Sequence, residues 1–136
     1  MNRIIRKELQ TDMTVKECYE MAGADFDDVM NRLGSEALIK RFAVKFLQDK
    51  NYEELKNAME AQDAERAFRA AHTLKGVCAN LGFKELLQAS SDLTEKLRGR
   101  ELEGSEPLYG AVSERYMKVI EAVTQLDNSF GKQVDK

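Results

Sequence analysis

The chain contains a single histidine, His72, so any nucleophilic, acid–base or metal chemistry that needs an imidazole must pass through it. It lies in the run Ala70-Ala71-His72-Thr73-Leu74-Lys75-Gly76-Val77-Cys78-Ala79-Asn80-Leu81-Gly82. On a wheel of about 100° per residue, Ala64, Ala67, Ala71, Leu74, Cys78 and Leu81 form one stripe, the expected buried face. His72 sits roughly 110° from the centre of that stripe, on its flank, and is expected to be at least partly exposed. Lys75, Gly76 and Ala79 follow on the His72 side within two turns, and Phe68 and Arg69 precede it by one turn. A glycine inside a helix costs about 1 kcal/mol relative to alanine. Gly76 therefore removes a side chain beside the imidazole at some expense and opens space there, and Ala79 keeps that space low.

An imidazole titrates near neutral pH and attacks an electrophilic phosphorus without prior activation by a base. Lys75 stands where an ammonium would attract phosphoryl oxygens and balance the charge of an N-phosphoryl product. Singly, these residues carry little. A histidine on a helix flank is usually an ordinary surface residue, Gly76 alone would also permit close helix packing, and Lys75 is one of 21 basic residues. Their joint placement on one side of one helix is what points to chemistry. Phe68 has two readings, half-buried packing or part of a docking surface, with packing the default because an exposed aromatic is costly.

His72-x-Leu74-Lys75-Gly76, followed by Asn80-Leu81-Gly82, resembles the signature of histidine-containing phosphotransfer (HPt) domains. The resemblance runs from about Ser35 to Leu97, through the Phe42–Leu47 segment, the Ala-rich approach to His72 and the Gly82 break. It implies a four-helix bundle with a phosphorylatable histidine on a central helix, exchanging a phosphoryl group with an aspartate of response-regulator receiver domains. On that likeness His72 is the expected phosphoacceptor, Lys75 the residue that assists the phosphoryl group, and Gly76 the residue that keeps His72 accessible. Phe68, Arg69 and Ala79 are the candidates for partner docking. No cofactor or metal is expected in this chain, since magnesium and the acidic cluster would belong to the receiver. Some members place a glutamine on the neighbouring helix to orient the imidazole, where this chain has Thr94 with Glu95 beside it; that role is not carried over.

The elements that must position these residues follow from the punctuation of the chain. Thr14-Val15-Lys16-Glu17 has the form of a capping box and predicts a short helix over 15–22, stopped by Gly23. Asp25 to Leu33 forms a second short piece closed by Gly34. Ser35 caps a segment with Leu38, Ile39, Phe42, Phe46 and Leu47 at helical spacing, continuing through Leu55, Ala58 and Met59 with a bend near Asn51. Asp63 caps a helix over 64–81, and Gly82 separates it from a helix over 83–98 that ends at Gly99. A loop over 101–105 leads to Ser105 and Pro107, which open a last helix over 106–127. The expected architecture is all-α: an antiparallel up-down four-helix bundle over 35–127, short extra N-terminal helices over 1–34 covering one end or side, and a loose polar tail over 128–136.

Composition excludes several alternatives. The 136 residues suit one domain, with 43% hydrophobic and 33% charged residues, too apolar for a disordered chain. Apolar runs reach only three residues, so no membrane span is expected. A net charge of −3 offers no cationic surface for nucleic acid. No Gly-rich phosphate loop is present, so the chain is expected to carry a phosphoryl group and not to act as an ATP-dependent enzyme. Cys18 and Cys78, without companion ligands or a signal peptide, read best as reduced thiols in a cytoplasmic protein. The expected partners are receiver domains, with a hybrid histidine kinase as a further candidate, and the chain itself is expected to be a monomer. The initial Met, the capped first helix and the short tail suggest a free-standing protein. The rival function is a helical interaction module that binds a signalling kinase or regulator without chemistry.

Overall fold

The computed structural model describes residues 13–135, with side chains over 13–129. The described chain is helical, without a strand: α1 (Val15–Ala22), α2 (Phe26–Leu33), α3 (Glu36–Lys45), a 3₁₀ turn (Phe46–Gln48), α4 (Asn51–Glu60), α5 (Ala64–Leu81), α6 (Lys84–Leu97) and α7 (Glu106–Asp135). The first twelve residues of the expected N-terminal extension lie outside the described residues.

Local capping chemistry sets most of these boundaries. The Thr14 hydroxyl accepts from the Glu17 N–H and the Glu17 carboxylate from the Thr14 N–H, completing the box expected there. Asp25, Ser35 and Asp63 each accept from the N–H three residues on, starting α2, α3 and α5. Each such cap contributes about 1 kcal/mol. At Gly82 two needs coincide: the backbone is left-handed, with φ +74°, and a Cβ would collide with Val29 Cγ2.

α5 packs against α4 on one side and α6 on the other, α6 packs on α7, and α7 returns to α3 and the 3₁₀ turn. Tyr52 at the start of α4 stacks on Tyr116 of α7, with ring centroids 4.0 Å apart, and donates to Ser113 at 2.8 Å. The result is the antiparallel four-helix bundle, with α3 and α4 together as its first member. α1 lies along α7. Val15, Cys18, Tyr19, Ala22 and Val29 are all buried, so α1 and α2 complete the core. They also clamp the α5–α6 turn. Tyr19 donates to the Leu81 carbonyl at 2.7 Å, the Asp25 N–H to the Gly82 carbonyl at 2.8 Å, and the Glu85 N–H to the Gly23 carbonyl at 3.0 Å. Tyr19 and Phe46 both pack on the fully buried Phe83 ring.

Three boundaries differ from expectation. The bend near Asn51 is a full break, because the Asp49 carboxylate accepts from the Asn51 N–H at 2.9 Å and holds Asp49 extended, in competition with the helix. α6 ends at Leu97 with Arg98 as its cap, and the left-handed residue is Arg100, with φ +61°, in place of Gly99. α7 runs on to Asp135 through the segment expected as a loose tail; Val112, Val119, Ala122, Val123 and Leu126 are fully buried, anchoring it.

Both cysteines are free and fully buried. Burial pushes the Cys18 thiol up to about 12 and raises Cys78 as well, where the charge of Asp49 adds to the effect. Since the thiolate is the reactive form, the native protein is expected to resist a thiol-specific reagent that labels both cysteines in denaturant. Prompt labelling of the native protein would contradict this packing.

Candidate functional site

α5 carries the single histidine on its outer side. Arg69, His72, Thr73, Gly76, Ala79 and Asn80 form one exposed strip, while Ala67, Phe68, Ala70, Ala71, Leu74, Cys78 and Leu81 are buried. The buried face is wider than the wheel stripe, since it takes in Phe68 and Ala70, and Ala64 is only half-buried. His72 therefore stands on the outside of the helix. The Asp63 cap and the Gly82 turn, pinned by α1 and α2, fix the two ends of this helix.

Gly76 separates two explanations for its presence. A Cβ built there meets nothing within 4 Å, so no neighbouring helix among the described residues requires a glycine. The space lies beside His72 and opens outward. Lys75 is half-buried one turn from His72 and forms no ion pair or hydrogen bond among the described residues. Ala79 is exposed, and its carbonyl accepts from Arg32 at 3.2 Å. Arg69 is exposed and paired to Glu65 at 2.8 Å.

Phe68 offers a partner almost no surface, being only 7% exposed. Its ring lies 5.9 Å from the imidazole, and the Arg100 and Arg98 guanidinium carbons sit 3.8 and 5.4 Å from its centroid. Thr94 is buried and donates its hydroxyl to the Ser90 carbonyl at 2.7 Å, so it does not orient the imidazole. Glu95 is exposed and paired with Arg98 at 2.7 Å. That hydrogen bond from Arg98 holds its carboxyl below the usual range, and the charges of Arg98, Lys75 and His72 pull the same way. Glu65 is likewise held down, first by Arg100 and then by Arg69.

Sequence reasoning missed Glu65, Arg98 and Arg100 as neighbours of the site. Glu65, Phe68, Arg69 and His72 do share i, i+3, i+4, i+7 spacing, a signal that was there to be read. The arginines come from the end of another helix, where no local spacing announces them.

On the far side of the strip a groove of about 650 Å³ opens between α2, α3 and α5, with Arg32, Phe42, Lys45, Val77 and Asn80 among its lining. Phe42 is 38% exposed there. Among the described residues, no group of three or more His, Cys, Asp and Glu could hold a metal ion, and no helix is long and apolar enough to cross a membrane.

No curated protein and no solved structure matches the chain. The family model for the Hpt domain matches residues 48–129, from the residue that closes the 3₁₀ turn to the buried Ser129 of α7. The match covers more than half of the chain, includes all of α5 and α6, and agrees with the helical bundle. This protein belongs to the Hpt domain family, the helical modules of phosphorelay histidine phosphotransfer.

Proposed function

We propose that the chain is a phosphorelay intermediate that carries a phosphoryl group on His72 and exchanges it with an aspartate of response-regulator receiver domains. The observation that carries this reading is the open space at Gly76 beside an exposed imidazole. A mid-helix glycine with no packing duty, next to the only histidine, leaves room for a donor to approach in line.

In the transfer step, the lone pair of one imidazole nitrogen attacks the phosphorus of the receiver's aspartyl phosphate. The N–P bond forms as the P–O bond breaks, and the aspartate leaves as its carboxylate with the bonding electron pair. The other ring nitrogen keeps its proton, so the product is a phosphorylated imidazolium, and the reverse step restores both partners. In this step the Lys75 ammonium balances charge on the phosphoryl oxygens. Magnesium and the acidic groups that hold it are supplied by the receiver. Arg69, Ala79 and the groove lined by Phe42, Val77 and Asn80 provide the docking surface.

The test is to mix the chain with receiver domains phosphorylated by a small phosphodonor and follow acid-labile, base-stable label. Label arriving on the His72 peptide supports the reading. Label arriving on another residue would move the acceptor away from His72, and none from any phosphorylated receiver favours the interaction-module reading.

Gly76→Ala separates the two roles of the glycine. Because a Cβ is free of contacts there, the variant is expected to gain about 0.5–1 kcal/mol of stability. Its phosphoryl uptake should fall about tenfold or more, as the approach is crowded. Gly110→Ala in α7 is the control, since a Cβ there also meets nothing within 4 Å. It should stabilise without touching transfer. Equal uptake by wild type and Gly76→Ala would remove the access role.

A further inference from the structure

His72 has no side-chain hydrogen bond among the described residues, and the Thr94 hydroxyl is committed to Ser90. An exposed imidazole free to rotate about χ1 and χ2 would present a nitrogen to an incoming phosphorus only part of the time. Restricting it in advance removes that cost from the transfer step. Among the described residues, the aromatic contact on the ring is Phe68, 5.9 Å away with the two planes 35° apart.

Phe68 is itself held. The Arg100 guanidinium lies 3.8 Å from its centroid, a cation–π distance. Arg100 Nε donates to Glu65 Oε1 at 2.7 Å, and another of its nitrogens donates to the Arg98 carbonyl at 2.6 Å. The Arg100 backbone takes φ +61°, a left-handed conformation that disfavours residues with a Cβ. The glycine next to it, Gly99, does not take that conformation. The strain falls on the residue whose side chain covers Phe68.

We propose that Arg100, tied to Glu65 and acting through Phe68, is a positioning residue for His72. The guanidinium holds the Phe68 ring in one orientation, and the ring limits the imidazole to orientations ready for attack. The inference rests on the phosphotransfer reading of His72 for its purpose, but the ordering of the ring is measurable without any transfer.

The test uses Arg100→Gly, which removes the guanidinium and suits the left-handed backbone, so the fold should survive. Because the chain has one histidine, its ring resonances are unambiguous by NMR. In the variant the His72 ring signals are expected to move toward free-histidine positions with a clear loss of ring order, while the melting curve stays close to wild type. Uptake from a receiver that phosphorylates the wild type should fall roughly three- to tenfold. Arg100→Lys keeps a cation over Phe68 without the planar stack and should restore ring order and uptake in part. Unchanged ring shifts and ring order in Arg100→Gly would overturn the proposal, whereas partial restoration by Arg100→Lys would support it. A wild type that takes no phosphoryl group while its ring is ordered by Arg100 would instead count against the phosphotransfer reading.

Discussion

His72→Gln protein is expected to accept no phosphoryl group at all, while folding as the wild type does. The imidazole is exposed and makes no side-chain hydrogen bond among the described residues, so its removal should cost no more than about 0.5 kcal/mol. Glutamine is a better helix former than histidine, and the melting temperature should stay within about 2 °C. The chemical loss is complete for three reasons. The amide nitrogen of glutamine has its lone pair delocalised into the carbonyl and is not a nucleophile. No second histidine exists in the chain. The two cysteines are fully buried, with thiols pushed far from ionisation. Acid-labile label is therefore expected on the wild type alone. Label persisting on His72→Gln would assign the acceptor to another residue and dismantle the site described above.

The parts of the fold readable from sequence are those where one side chain decides one backbone group. Thr14, Asp25, Ser35 and Asp63 each satisfy an N–H three residues on, and Gly82 takes a left-handed turn; such signals act within a few residues. The relative placement of His72, Lys75 and Gly76 was readable for the same reason, because they share one helix and their relation follows from its pitch. Signals that depend on distant partners were not. Gly99 is the conventional helix stop, yet the left-handed position went to Arg100, whose contacts with Glu65 and Phe68 come from another helix. The 3₁₀ turn depends on Asp49 capping Asn51 and on Phe46 packing against Phe83, pairings that a continuous apolar period over 38–59 conceals. Thr94 matched a position of functional interest in register, but its hydroxyl turned to its own helix, as buried threonines do when the i−4 carbonyl is in reach.

Deleting residues 1–34 is expected to damage the bundle severely, although the family match begins only at residue 48. Those residues read from sequence as an extension packing on the bundle, and the described part of it, α1 and α2, buries Val15, Cys18, Tyr19, Ala22 and Val29 in the core. Val15, Tyr19 and Val29 alone remove apolar surface worth roughly 5–8 kcal/mol at ordinary transfer values, against a total stability of about 5–15 kcal/mol for a domain. The net loss is smaller than that sum, because the deleted segment no longer has to be ordered. The remaining bundle still pays. The Phe83 ring loses Tyr19, α7 loses the helix that covers one side of it, and the α5–α6 turn loses its hydrogen bonds from Tyr19 and Asp25 and to Gly23. A drop of at least about 10 °C in melting temperature follows from a loss of a few kcal/mol. Loss of cooperative melting is the stronger form of the same result. Phosphoryl uptake should fall with it, since the turn that ends the His72 helix is the part left unsupported. A 35–136 fragment that melts cooperatively near the full-length temperature, with uptake intact, would show that α1 and α2 only cover a bundle able to stand without them.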